Sequence, residues 1–98
     1  MSYLLVIQIA GEDIDWLEKT EDKLIDLLGP IHEVDGHDIG SNKSNIFILT
    51  NAPQEAFEKS KKVFSAQELK QIRAAYREST GNEYLVIWPL DSAGEFRI

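Results

Sequence analysis

The sequence predicts a single α+β domain over residues 1–98, built as an antiparallel sheet with two helices on one face. Three observations carry that prediction. Apolar runs of strand length (YLLVIQIA, NIFILT and YLVIW) alternate with two stretches whose apolar residues recur at helical spacing. Short turns bearing Gly, Pro and Asn separate them. A chain of 98 residues with 43% hydrophobic content holds one core without disulfides or metals to staple it, and not two.

Residues Tyr3 to Ala10 are almost continuously apolar, with Val6, Ile7 and Ile9 β-branched, the make-up of a central strand covered on both faces, or on one face and by a partner on the other. After Gly11 the period changes. Ile14, Leu17, Leu24 and Leu28 fall at helical offsets, with Asp15, Glu18, Lys19, Asp22 and Lys23 on the other side. Acids crowd the start of this stretch and Gly29-Pro30 stops it, so a helix is expected over residues 13–28. Ile31 to Ile39 reads as a weaker strand interrupted at Asp35-Gly36, Asn45 to Thr50 as a strong one, and the polar GSNKS between them as the hairpin connection. Thr50-Asn51-Ala52-Pro53 turns the chain into a second helix, whose Ala56, Phe57, Ser60, Val63 and Phe64 share a face. Residues 65–79 fit both periods. The turn residues Ser79-Thr80-Gly81-Asn82 precede a final strand, Tyr84 to Trp88, and favour a strand from Ile72 to Glu78.

The resulting order, β-α-β-β-α-β-β, fits the ferredoxin-like split βαβ plan, in which both helices cover the same face of the sheet. The strands carry apolar residues on both faces, as at Leu4 and Leu5, Ile46 and Phe47, and Leu85 and Val86. The uncovered face is therefore expected to meet a partner, a second copy in a homodimer, or a covering hairpin.

Composition excludes several function classes. The absence of cysteine removes thiolate zinc sites, iron–sulfur clusters and thiol nucleophiles, and fits a reducing, cytoplasmic setting. YLLVIQIA has neither the length of a membrane span nor the flanks of a signal peptide. Seventeen acids against ten basic residues give a net charge of −7, which repels nucleic-acid backbones and anionic membranes and favours basic partners.

The stretch EVDGHDIGSNKSN, residues 33–45, concentrates the polar chemistry. His32, Asp35, His37 and Asp38 are oxygen and nitrogen ligands, and a period of two places Asp35 and His37 on one face, but the spacing matches no zinc motif. An Asp–His pair near Ser41 and Ser44 has the residue types of a general base and nucleophile without an oxyanion motif. The glycines form no phosphate loop. No catalytic residue, metal or cofactor is assigned. What remains is a charged edge strand, bulged at its glycines, with Asp35, His37 and Asp38 turned outward.

The run VDGHDIGSNKSNIFILT, with RAAYRE and YLVIWP, resembles a group of small, largely uncharacterised bacterial α/β proteins, and implies a shared fold over most of the chain. In size and acidity the chain is also similar to immunity proteins that neutralise bacterial nuclease toxins. The leading expectation is a non-enzymatic module that binds a basic protein, a nuclease toxin being the concrete case. Asp15, Glu18 and Asp22 on the first helix and Glu33, Asp35, His37 and Asp38 around the hairpin would form the binding surface. Plain solubilising charge is the bland alternative. The competing function is a small dimeric α/β-barrel enzyme or ligand-binding domain, with His37 or Tyr76 moving a proton.

Overall fold

The computed structural model describes residues 2–89 and 96–98. β1 (Tyr3–Ala10) is the middle of a five-stranded antiparallel sheet of order β2-β3-β1-β4-β5, in which β2 is Glu33–Gly40, β3 Lys43–Thr50, β4 Ile72–Glu78 and β5 Leu85–Trp88. Among the described residues three helices complete the α+β fold: α1 (Ile14–Leu28), α2 (Pro53–Ser60), which runs on through a 3-10 turn at Lys61–Val63, and α3 (Ala66–Leu69). Among the described residues no helix is long and apolar enough to cross a membrane.

Local chemistry sets the boundaries of α1. The Asp13 carboxylate accepts the Trp16 amide at 3.0 Å, which caps the first turn. At the other end Gly29 takes φ 60° and ψ −150°, a positive-φ conformation that side chains disfavour, and its amide donates to the Ile25 carbonyl at 3.1 Å. The β2–β3 hairpin closes through two residues, Ser41 and Asn42, at φ 53° and 62°, the left-handed pair that matches the twist of the strands. The connection is therefore shorter than GSNKS, because Gly40 and Lys43 already pair.

Alternation along β1 divides the core in two. Leu5 and Ile7 join Ile46, Ile48, Ile72 and Ala74 on one face, under Leu17, Leu24 and Leu28 of α1, Ala56 and Phe57 of α2, and Phe64. Val6 and Ala75 lie on the other face with Phe96, flanked by Leu4, Phe47, Tyr84 and Val86. Phe96 is 6% exposed there, so the face left bare by the helices is partly roofed by the chain's own residues.

Three expectations need correction. Ile14 is 44% exposed, because at 100° per residue it sits on the flank of α1 and not beneath it. α3 was hidden inside an ambiguous segment. The bulge expected in β2 lies between Val34 and Gly36, where Gly36 accommodates it with φ 146°, and it breaks the period of two that would have set Asp35 beside His37. Asp35 has no cross-strand partner, so it does not share a regular face with His37.

Candidate functional site

Charge is distributed unevenly in the fold. Residues 12–38 hold ten of the seventeen acids and two of the ten basic residues, so this segment carries −8 and the rest of the chain +1. That segment is α1 and most of β2. β2 is an edge strand with no neighbour beyond it in the sheet, and α1 packs alongside it.

Helical geometry orders the charges within α1. Leu17, Leu24 and Leu28 point at the sheet. Measured from them at 100° per residue, Glu21, Glu18, Asp22 and Asp15 follow one another around the side that leans towards β2, whereas Lys19 and Lys23 fall towards the opposite flank. The side is fixed by a contact, since both Glu21 carboxylate oxygens lie 3.2 Å from His37 Nδ1. Ile14 and Ile25 belong to the same stripe and are 44% and 49% exposed.

The predicted residues are thus partly united. Asp15, Glu18 and Asp22 are exposed on the β2 side of α1, and His37 turns towards that helix opposite Ile46. Glu33 and Asp38 pair with Leu49 and Asn45 and emerge from the other face of β2, and Asp35 projects from the bulge. The acids therefore straddle the β2 edge. Glu21 is the member that sequence reasoning missed; its place follows from the His37 contact, which no local pattern announces. A second anchor lies at the hairpin, where the Glu12 carboxylate accepts the Asn42 amide at 2.7 Å.

The other histidine is somewhere else entirely. His32 is 1% exposed, with Nδ1 2.7 Å from Thr50 Oγ1 and Nε2 3.4 Å from a Glu55 oxygen. The order of groups, hydroxyl to imidazole to carboxylate, is that of a nucleophile relay. Its chemistry is blocked by burial, because Thr50 is 0% exposed and its Oγ1 already accepts the Ala52 amide at 2.9 Å. The hydroxyl thus meets both the Ala52 amide and the His32 ring. His32 and Thr50 tie the start of β2 to the end of β3, while His32 Nε2 is buried, has no hydrogen-bond partner among the described residues and faces Glu55 of α2. Among the described residues no group of three or more His, Cys, Asp or Glu is gathered to hold a metal, and His32 does not join Asp35, His37 and Asp38.

Trp16 closes the opposite flank of α1. Its indole N–H donates to Glu68 at 2.8 Å and its ring lies 6.3 Å from Phe64. Glu68 also accepts the Ser65 amide at 2.8 Å, completing a capping box on α3. That amide, and then the indole, hold the Glu68 carboxyl below its ordinary value of 4.5. Elsewhere, a groove of about 430 Å³ between α2 and β5 is lined by Phe57, Leu85, Val86 and Trp88, with Lys61 over the Trp88 ring at 4.4 Å and paired to Glu58 at 2.7 Å.

Compared with known proteins, the chain matches no family model, no curated protein and no solved structure.

Proposed function

We propose that the chain is a protein-binding module that takes a basic partner on its acidic α1–β2 edge, most concretely as an inhibitor or immunity protein for a basic nuclease toxin. The observation that carries this reading is the concentration of −8 in residues 12–38, which form α1 and most of β2, against +1 in the rest of the chain. Charges placed together build a field that steers an oppositely charged partner, whereas the same charges scattered would only keep the molecule soluble. Ile14 and Ile25 supply apolar contact within that field, and the unpaired β2 edge supplies backbone donors and acceptors. A cysteine-free chain of this kind suits the cytoplasm.

For the fold we infer the ferredoxin-like split βαβ plan with β5 added outside β4. The sub-order β4-β1-β3-β2 and the two longer helices on one face support it.

The dimeric-barrel enzyme draws less support from the geometry. His37 pairs with Ile46 and Tyr76 with Leu5, so both belong to the helix-covered face and not to the one a second sheet would meet. They are also three strand spacings apart, about 14 Å. Phe96 occupies part of the surface that a homodimer would use.

The test replaces Asp35 and Asp38 together with Asn, after a salt-eluted pull-down from native extract has supplied the basic partner. The melting temperature should stay close to wild type, while association slows and loses part of its salt dependence. An unchanged rate and salt slope would remove the edge from the function.

A further inference from the structure

β2 ends the sheet, and the hydrogen-bonding phase of its hairpin decides which of its backbone groups are left over. The Gly11 amide donates to the Asn42 carbonyl at 2.7 Å, so in the β1–β3 register Ser44 and Ile46 also turn their backbone groups to β1. Lys43, Asn45 and Phe47 therefore serve β2, where they bond Gly40, Asp38 and Gly36. The intervening His37 and Ile39 point their N–H and C=O groups away from β3, and among the described residues no strand lies beyond β2 to take them. The bulge at Val34 and Gly36 ends this free edge on one side and the Ser41-Asn42 turn ends it on the other, so it runs over residues 36–40.

Side chains decide what can pair there. A second copy of the chain carries the same −7 and would bring its own acids against Asp38, and like charges facing each other across strands repel. A strand with Lys or Arg opposite Asp38 meets attraction instead, from Asp38 on the open face and from Asp35 in the adjoining bulge. On the helix side the edge offers Ile39, partly buried against the main core, which suits an apolar neighbour. We propose that the basic partner engages by adding a strand to β2, antiparallel and opposite residues 36–40, with a basic side chain facing Asp38 and apolar side chains on the helix side. This rests on the acidic-edge reading and names the element that the edge takes.

The test titrates the peptide Thr-Lys-Val-Lys-Val-Lys-Thr, acetylated and amidated, into the wild-type chain. Bound as a strand, it should slow hydrogen exchange at the His37 and Ile39 amides and leave that of Asp38, already bonded to Asn45, unchanged. Methylating the backbone nitrogens of both valines removes the hydrogens aimed at β2 and should weaken binding about tenfold, whereas methylating those of two lysines, which face solvent, keeps both charge and affinity. Equal binding of the two methylated peptides, or unchanged exchange at His37 and Ile39, would overturn the added strand, and so would a parent peptide that does not bind. The acidic edge itself falls only if the Asp35/Asp38 double variant also keeps the wild-type rate and salt slope. A free chain whose His37 and Ile39 amides become protected as its own concentration rises would assign the edge to a second copy and overturn the basic partner.

Discussion

The two faces of one sheet are stabilised by different means. Among the described residues, twelve buried apolar residues from strands, helices and the Phe64 turn form one cluster on the helix side, and on the other side Val6, Ala75 and Phe96 form a smaller one beside the buried Gln8 and Asn45. The first face is closed by elements adjacent in the chain, and its cover is large and apolar. On the second, Phe96 meets Val6 and Ala75 from nearly the other end of the sequence, and the Arg97 carbonyl accepts from Gln8. The helix face therefore holds the larger share of the buried apolar residues among those described.

Paired substitutions break or sharpen that contrast most directly. Phe57→Ala on the helix face removes a ring that is 3% exposed and should cost about 3–5 kcal/mol in chemical denaturation. Phe47→Ala on the other face removes a half-buried ring and should cost less than half as much. Equal losses would mean that the second face is as tightly packed as the first.

A smaller effect is expected at the rim. Thr50→Val leaves both the Ala52 amide and His32 Nδ1 without a partner and should cost about 1–3 kcal/mol, read as a shift in denaturant midpoint. No loss would show that water replaces the hydroxyl, and that the histidine is not locked by it.

Smaller still is the contribution of the α3 cap. Ser65→Ala should cost about 1 kcal/mol. The Glu68 carboxyl titrates lower in the folded chain than its ordinary 4.5, so its contribution is complete above that value and fades as pH falls through the depressed folded value. Trp16→Phe deletes one of the donors responsible and should flatten the acid limb of the stability–pH curve. An unaltered acid limb would assign that slope to other carboxylates.

How much was legible follows the same division. α1 could be read almost to the residue, since Asp13 and Gly29-Pro30 are local signals that act through local hydrogen bonds. β4 was read in full, Ile72 to Glu78, because the turn after it is written in Ser79-Thr80-Gly81-Asn82. α3 is four residues long, too short to show a period, although Ser65 and Glu68 already spell its capping box. Ile14 kept the helical spacing but missed the face, because a stripe read from sequence leaves the helix's rotation on the sheet undetermined. Of the candidate edge, the charges were visible; the His37–Glu21 contact and the split of Glu33 and Asp38 to the far side of β2 depend on a bulge whose register is set only by β3. Nothing near Val6 in sequence points to Phe96.

The lopsided charge makes the molecule a dipole as well as an anion. On a cationic resin or a positively charged sensor surface it will settle with α1 and β2 downward. Immobilised that way, it hides the acidic edge and presents β5, at the other end of the sheet, to the solution. Attachment by charge and attachment by a tag at residue 1 will consequently sample different surfaces of the same protein.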